Sequence, residues 1–339
     1  MNFLLRNVEE RDLYQLKQLA DQFVLLNMPA DEAVLKIKIK TSMESFSTKP
    51  PANAEYLFVV EDLESKKIIG SSLILAKHGT PEAPHNYIKV LKKEKFSQDL
   101  GIGFIHTILQ FGQNMDGPTE IGGLLVDKQY RKRPERVGKQ ISLIRFLFMG
   151  LCPDRFQSRV LCELTPPYTK DGRSEFWEAL GRRFTGLPYQ EADRLSQTHK
   201  EFIKTLFPEE NIYLTLLDAK ARSVLGRVGE STRPAQHLLE KMGFTYINEV
   251  DPFDGGPHYG ASLKDIAVVK YGKKYIVSSE DKSDFSLKGL LAYFDAGIFR
   301  GMQCSVSIEK NKIILPEYVR DRMGVEQGKE VFFYSYGDD

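Results

Sequence analysis

The sequence predicts an α/β or α+β protein with a small β-rich region at its C-terminus. Segments with a helical spacing of apolar residues alternate with short apolar strands through most of the chain, which is typical of these classes. The last 75 residues, by contrast, are predicted mainly as strands. The chain has 339 residues, of which 42% are hydrophobic and 27% are charged, so it is long enough for about two domains.

Composition excludes several classes of protein. Lysine plus arginine (47) nearly equals aspartate plus glutamate (46), and the net charge of +1 gives no overall attraction to nucleic acid or an anionic membrane. The three widely spaced cysteines exclude a disulfide framework and a cysteine-rich zinc site, and they suit a reducing compartment. The N-terminus meets charge at once, and no apolar run approaches the ~20 residues of a membrane span. A cytoplasmic protein without a membrane partner is expected.

The first 150 residues predict strands and helices in alternation. Leu13, Leu16, Leu19 and Ala20 have helical spacing, and a second amphipathic helix follows Pro29. Residues 86–100 show no clear pattern. The segments predicted in order are a strand at 3–6, helices at 8–20 and 32–43, strands at 56–62, 67–75 and 119–126, and a helix at 140–150.

The remaining sequence falls into a helical part and a β-rich part. Helices are predicted at 176–183, 194–206, 218–228 and 235–242, followed by a strand at 244–247. Beyond them the predictions are strands at 266–271, 274–278, 303–308, 311–315 and 331–336, and a short helix at 316–323. These changes in predicted structure along the chain divide it into three domains, at residues 1–150, 151–262 and 263–339.

The most informative motif joins an apolar strand to a basic loop and a helix. The strand ends at Val126, the loop holds Arg131, Lys132, Arg133 and Arg136, and Gly138 stands where the helix begins. Backbone N–H groups at a helix N-terminus, with cations nearby, form an anion site suited to a pyrophosphate. The same residues also fit a solvated basic loop.

A second motif, Ser231 to Phe244, predicts a short capped helix. Ser231 or Thr232 provides the N-cap, Pro234 lies in the first turn, and Gly243 ends the helix. By itself this is a helix packed on a strand.

Together the two motifs resemble those of GNAT-type N-acyltransferases. Asp127-x-x-Tyr130-Arg131 with its basic loop resembles the acyl-CoA motif, and Pro234-Ala-x-x-Leu-Leu-Glu-Lys-x-Gly-Phe244 resembles the motif that closes the same fold. About 90 residues lie between them, whereas ordinary GNAT domains have a few tens. Bacterial arginine N-succinyltransferases carry such an insertion. Further segments that resemble that family, in the same order, are 29–32, 56–62, 176–184, 192–193 and 251–257.

The resemblance implies an α+β, GNAT-like core, with room for two GNAT-like halves in tandem, and a small β-rich C-terminal domain. Residues 1–150 would hold the donor-binding strand and loop, residues 151–262 the insertion and a second GNAT-like part, and residues 263–339 the β-rich domain. The acyl donor implied is succinyl-CoA, and no metal is expected. The positions assigned to the donor are Leu124, Val126, Arg131, Arg136, Val137, Gly138 and Lys139.

The reaction implied is direct attack of an α-amine on a thioester. The amine must lose its proton, and its pKa is about 8 when free, so a carboxylate acting through water is a suitable base. Glu120 is the candidate base, and an exposed carboxylate at a strand edge is the alternative. Glu163 matches a glutamate of the family and either binds a cationic substrate or pairs with an arginine.

This sequence departs from the family at Gly229, where the family has a histidine assigned as proton donor. A slow enzyme is one outcome, because a thiolate is a fair leaving group and a general acid contributes about 10²–10⁴-fold. In the alternative outcome, Glu230, His237 or His258 takes over the role of the missing histidine, although each of these residue types is more often a surface residue. Replacing Gly229 by histidine is then expected to speed the reaction. An arginine of the family's pocket segment is also missing at Thr165.

The function expected is succinyl transfer from succinyl-CoA to the α-amine of L-arginine, in arginine catabolism. The alternatives are a catalytically impaired CoA-binding subunit and an acyltransferase with another amine acceptor. Residues 311–333 resemble the half-barrel of AbrB-type DNA-binding proteins, but few basic residues accompany it, so a structural role is expected instead of nucleic-acid binding. A homo- or hetero-oligomer is expected.

Overall fold

A computed structural model describes residues 3–23, 28–196, 201–280, 282 and 284–336. Its strands are β1 (Phe3–Asn7), β2 (Glu55–Asp62), β3 (Lys67–Leu75), β4 (His85–Ser97), β5 (Ile102–Asn114), β6 (Thr119–Val126), β7 (Arg159–Glu163), β8 (Ile212–Tyr213), β9 (Thr245–Val250), β10 (Pro257–Ser262), β11 (Lys273–Val277), β12 (Leu287–Asp295), β13 (Ile298–Glu309), β14 (Lys312–Ile314) and β15 (Glu330–Ser335). Its α-helices are α1 (Leu13–Ala20), α2 (Glu32–Ser45), α3 (Val137–Leu151), α4 (Glu175–Ala179), α5 (Gly181–Thr185), α6 (Tyr189–Ser196), α7 (Glu201–Leu206), α8 (Ala219–Val224), α9 (Arg233–Lys241), α10 (Ala267–Tyr271) and α11 (Glu317–Met323).

The chain forms two compact units. The first unit comprises residues 1–77, 119–160 and 262–339, and the second comprises residues 78–118 and 161–261. Both units are therefore built from segments that are distant in sequence. The predicted boundaries at 1–150, 151–262 and 263–339 follow the chain in order, and this interleaved division differs from them.

The first unit is organised around a sheet with the order β12-β15-β11-β14-β13-β1-β2-β3-β6. Strand β12 also pairs with β13, which brings the C-terminal strands into a closed arrangement. Its core includes Met302, Val306, Ile313, Val319 and Phe333, all buried. Because β13 also pairs with β1 through Leu5 and Arg6, the C-terminal strands continue the N-terminal sheet.

Helix α3 is the most apolar helix of the first unit. Eleven of its fifteen residues are buried, including Ile141, Ile144 and Phe148. Phe148 packs against Phe58 and Phe299 at ring-centroid distances of 5.6 and 5.3 Å. These edge-to-face ring contacts fix the helix on the sheet, and with it the position of the helix N-terminus.

The second unit contains the strands β10, β9, β4, β5 and β8, which neighbour one another in that order. Strands β4 and β5 form a hairpin paired from His85–Asn114 to Ser97–Ile102. The helices α4 to α8 pack on a core in which Trp177 stacks on Phe253 at 5.1 Å. Trp177 is fully buried, and its indole N–H donates to the carbonyl of Leu187 at 2.9 Å.

Most predicted elements are present, but the strands β5, β7, β8, β10 and β12 were not predicted, and further elements differ from their predictions. The strand predicted at 266–271 is wrong, because Ala267–Tyr271 is a helix; a short apolar run does not distinguish the two. The long strand β4 was not predicted, because charged residues on its exposed half obscure the alternation. The helix predicted at 176–183 is divided at Leu180, and that predicted at 194–206 includes residues 197–200, which lie outside the described residues.

No helix in the described part of the chain combines the length and the apolar character that crossing a membrane requires. The three cysteines are all described, and all are free thiols.

Candidate functional site

The predicted donor strand, β6, carries a bulge at its centre. Its pairing with β3 shifts between Leu125–Ser71 and Gly122–Leu73, so two residues of β6 face one of β3. Gly123 has a φ of +57°, the left-handed region that glycine adopts without strain. The bulge re-aims the strand at Leu124, the half-buried residue that the resemblance assigns to the acyl donor.

The loop after β6 is held by its own side chains. Asp127 accepts a hydrogen bond from the amide of Gln129 at 2.8 Å, and the hydroxyl of Tyr130 donates to Asp62 at 2.8 Å. Arg131 donates from Nε to the carbonyl of Val126 at 3.0 Å. The Asp-x-x-Tyr-Arg motif therefore has a structural explanation: it anchors both ends of the turn.

The start of α3 has the features of an anion site. Arg136 is the N-cap, with φ and ψ of 51° and 49°, and its side chain does not cap the helix. The first amides of a helix have no intrahelical partner, and its N-terminus carries a partial positive charge. Arg136 is exposed, and Lys139 lies with its Nζ 4.3 Å from the ring centroid of Tyr336. This arrangement can bind a phosphate group.

Gly138 leaves space at that helix start. A Cβ built on Gly138 would have the Cγ2 atom of Val126 as its nearest neighbour, at 3.7 Å, which is an ordinary contact. The structure thus brings Val126 and Gly138 together. Packing within the protein therefore does not require glycine here, and the position is open to the close approach of a ligand.

Glu120 lies at the start of β6, opposite Leu75. It is only 7% exposed, so the alternative of an exposed strand-edge carboxylate is wrong. Its role as a base stays a prediction.

Two other predicted catalytic residues, Glu230 and His237, are both exposed: Glu230 precedes α9, and His237 lies on it. Their exposure matches the surface role that the sequence left open, and their catalytic role stays a prediction. His258 differs from both, because it is fully buried, and the interpretation of it as a surface residue is wrong.

Gly229 is buried against the segment that follows β7. Its amide donates to the carbonyl of Thr165 at 2.9 Å. A Cβ at this position would lie 2.7 Å from the carbonyl oxygen of Pro166, closer than real Cβ atoms approach backbone. The expectation that histidine at 229 would speed the reaction therefore has to be corrected: a larger residue cannot enter without a shift of the backbone.

Glu163, the predicted substrate residue, ends β7 within a group of histidines. Its Oε1 lies 3.1 Å from Nε2 of His85 and 3.6 Å from Nε2 of His258. Burial opposes ionisation of Glu163, but the hydrogen bond with His85 and the neighbouring imidazoles hold its pKa below the usual range. Contact of Glu163 with a substrate stays a prediction.

The two buried histidines have opposite pKa shifts. Burial lowers the pKa of His85, because the charged imidazolium loses its hydration. Burial acts in the same direction on His258, but Glu249, Glu163 and Asp251 outweigh it and raise the pKa of His258. Sequence reasoning missed this cluster, because 78 and 95 residues separate Glu163 from His85 and His258 and no local spacing connects them.

Comparison with known proteins gives three findings. A family profile described as arginine N-succinyltransferase beta subunit matches residues 3–268. An arginine N-succinyltransferase of Photorhabdus laumondii is 31% identical over 334 residues, covering 97% of this chain and 96% of the relative. One of Yersinia pestis is 30% identical over 337 residues, covering 96% and 95%.

The fold is that of a solved structure, the arginine/ornithine succinyltransferase subunit AI from Pseudomonas aeruginosa. The TM-score is 0.85, with 24% sequence identity and 99% of each chain covered. The match confirms the predicted α+β, GNAT-like fold.

Proposed function

Because the chain belongs to the arginine N-succinyltransferase family, we propose that it transfers a succinyl group from succinyl-CoA to the α-amine of L-arginine. The near full-length similarity to relatives that bear this name carries the proposal. The helix start at Gly138 supports it, since a CoA pyrophosphate needs backbone amides and cations where no side chain intrudes.

In the proposed reaction the neutral amine attacks the thioester carbonyl. A bond forms between the amine nitrogen and the carbonyl carbon, the carbon–sulfur bond breaks, and CoA leaves as a thiolate that takes up a proton. The proton of the amine passes through water to a base, which we assign to Glu120. The segment from Leu124 to Val126 lines the pantetheine arm, and Arg131, Arg136, Val137, Gly138 and Lys139 surround the pyrophosphate.

A second candidate function is a CoA-binding subunit that does not turn over. The observation that favours it is the contact of Gly229 with Pro166, which leaves no room for the proton donor of the family. An acyltransferase for another amine is the third possibility, since the segment 163–166 lacks the arginine of the family.

Thiol release from succinyl-CoA distinguishes these functions. We expect release that depends on L-arginine and is weaker with L-ornithine or with acetyl-CoA. The variant Glu120→Gln should lower kcat by about 10²-fold and leave CoA binding unchanged. The rate of the wild-type protein should rise with pH until the amine of the substrate is neutral. CoA binding without release with any amine would contradict the enzyme and support the impaired subunit.

We also propose that the protein forms an oligomer and that it works in the reducing environment of the cytoplasm. The three free thiols suit such an environment. The far end of the β4–β5 hairpin exposes apolar side chains: Phe96 is 66%, Phe104 60% and Ile105 70% exposed. Exposed apolar groups of this size are typical of association surfaces. Light scattering of wild-type protein and of a Phe104→Ser/Ile105→Ser variant should show an assembly that the variant loses; a monomeric wild type would contradict it.

A further inference from the structure

A second cluster of ligand-type side chains lies in the second unit and is not used by the proposed acyl transfer. Glu163 at the end of β7, Asp251 after β9 and His258 in β10 each present one donor atom, and these three atoms lie within 4.8 Å of one another. Three separate segments of the chain thus bring two carboxylates and an imidazole to one point.

His258 is the residue that calls for a ligand. Its side chain is fully buried, and neither ring nitrogen has a hydrogen-bond partner among the described residues. Nε2 points toward Glu163, 3.6 Å from Oε1. A buried polar group without a partner is destabilising, so such groups are rare in folded proteins.

Two of the three side chains, Asp251 and Glu163, have hydrogen-bond partners that orient them, and a carboxylate lies near the third. Oδ1 of Asp251 accepts hydrogen bonds from the amides of Phe253 and Asp254 at 2.7 and 3.0 Å, which leaves Oδ2 for another partner. His85 contacts Glu163 at 3.1 Å, and Nδ1 of His258 lies 3.9 Å from Oε2 of Glu249. Metal ligands in proteins are typically held in this way by carboxylates, backbone groups and further histidines.

The charges of the cluster favour a cation. Glu163 and Asp251 both present a carboxylate oxygen to this point, and the two oxygens lie within 4.8 Å of one another. Two carboxylates this close repel one another, and a divalent ion between them would balance both charges. An imidazole beside carboxylates suits first-row transition ions, and it is a poor ligand for Mg²⁺.

We propose that Glu163, Asp251 and His258 bind one divalent first-row transition-metal ion, with His85 and Glu249 orienting the ligands. Bound donor atoms would lie about 2.0–2.2 Å from the ion and about 3.4 Å from one another, so the side chains need to move inward by about an ångström. The ion joins the end of β7 to the β9–β10 hairpin and stabilises the second unit.

A neighbouring set, His78, His85 and Glu163, has donor atoms equally close together. We favour the set with His258. Nε2 of His85 already contacts Glu163 within hydrogen-bond distance and only its Nδ1 lacks a hydrogen-bond partner, whereas among the described residues both ring nitrogens of His258 lack one. The two sets share Glu163 and differ in their histidines, so variants of His258 and His78 separate them.

The test uses full-length protein that has been treated with a chelator and dialysed. Mn²⁺ is titrated and followed by its electron paramagnetic resonance signal, which bound Mn²⁺ loses, and Zn²⁺ is added as a competitor. We expect one Mn²⁺ per chain, displaced by Zn²⁺ and not by an equal concentration of Mg²⁺. Zn²⁺ should also raise the unfolding temperature by several degrees, because it binds only the folded chain.

The variants His258→Gln and Asp251→Asn should weaken Mn²⁺ binding at least tenfold, and the control His78→Ala should leave it unchanged. Far-UV circular dichroism and CoA binding verify that each variant is folded. Absence of a stoichiometric ion in wild-type protein would overturn the proposal. So would loss of binding in His78→Ala with retention in His258→Gln, because the ion would then lie in the neighbouring set.

The proposal places a metal ion on Glu163, where the family resemblance suggested a cationic substrate. An excess of L-arginine separates the two roles. We expect Mn²⁺ to remain bound in its presence, and its displacement by L-arginine would overturn the metal assignment in favour of the substrate. Because the readout is ion binding, failure of the metal proposal can be distinguished from failure of the proposed acyl transfer, which is measured by thiol release.

Discussion

Two glycines of the candidate donor site illustrate how differently a single residue type can be required. Gly123 is required by the backbone, because its φ is +57° and a Cβ would lie 2.9 Å from that of Leu73. Gly138 is in a helix, and a Cβ there would meet only an ordinary contact at 3.7 Å. The fold therefore requires the first glycine, and the role of the second in donor binding stays a prediction.

We expect Gly138→Ala to leave the free energy of unfolding unchanged or to raise it by about 0.5–1 kcal/mol, because alanine is the better helix former. Its affinity for CoA should fall, since the new methyl group occupies the approach to the helix amides. Urea unfolding and calorimetric titration with CoA measure the two effects. Unchanged affinity would show that the pyrophosphate does not approach Gly138.

At Gly229 the structure reverses the expectation from sequence. The variant Gly229→His should lose about 1–3 kcal/mol of unfolding free energy in urea, because its Cβ clashes with the carbonyl of Pro166. It should not release thiol faster than wild type. Arg227→His, at an exposed position of the same segment, controls for the introduction of an imidazole. A faster and equally stable Gly229→His protein would show that the 165–166 segment moves aside.

Asp193 couples stability to pH. Burial, and then the charge of Asp251, raise its pKa to about 8, whereas an unfolded chain releases this proton near pH 4. The folded state therefore holds the proton longer, and stability falls by up to about 1.4 kcal/mol per pH unit as pH rises from about 4 to 8. In urea unfolding, Asp193→Asn should remove this dependence of stability on pH and be more stable than wild type at pH 9. The control Asp265→Asn, at an exposed position, should keep the pH dependence of wild type. Equal pH dependence in Asp193→Asn and wild type would contradict the prediction.

At the scale of elements, the bulge in β6 and the N-terminus of α3 are joined directly by the basic loop, residues 127–136. The loop between them is anchored by Tyr130 on Asp62 and by Arg131 on Val126, so it is fixed before any ligand arrives. A site that is organised in advance loses less conformational entropy on binding. Sequence reasoning identified this loop because its charges and glycine are contiguous.

The bulge itself can be tested with Gly123→Ala. A side chain at this left-handed position strains the backbone and contacts Leu73, so we expect a loss of about 1–3 kcal/mol in unfolding free energy. CoA binding should weaken as well, in contrast to Gly138→Ala, where only binding weakens. If Gly123→Ala is as stable as wild type in urea, the bulge is not held by this glycine.

At the scale of the whole molecule, the order of segments in sequence is not their order in space. Residues 262–339 belong to the same compact unit as residues 1–77, and strand β13 pairs with β1. The C-terminal region is thus part of the first unit and not an appended module. This arrangement suits the structural role that its low basic content predicted.

Removing residues 263–339 should therefore prevent folding of the first unit. The truncation exposes the edge of β1 and removes most of the buried cluster around Met302 and Phe333. We expect aggregation, or loss of the cooperative unfolding transition, in size-exclusion chromatography and circular dichroism. A soluble truncated protein with the unfolding temperature of the full chain would show that the C-terminal region folds apart from the rest.

The sequence by itself determined the features that depend on neighbours in the chain. The alternation of elements, the strand 119–126, the basic loop and the helix predicted at 235–242, which the structure has at Arg233–Lys241, can all be recognised because helical and strand periodicity is local. The two motifs that carry the family resemblance are contiguous for the same reason. Where periodicity is short or masked by charge, as at 266–271 and in β4, the sequence did not decide between structures.

Only the tertiary structure decided which distant residues meet. The approach of Gly229 to Pro166, the burial of Glu120, and the convergence of Glu163, Asp251 and His258 all depend on how strands pair and where loops close. Such contacts join segments separated by tens of residues, and their energies come from desolvation and close packing. Neither quantity is encoded in local spacing, which is why the basic loop could be located from the sequence and the histidine cluster could not.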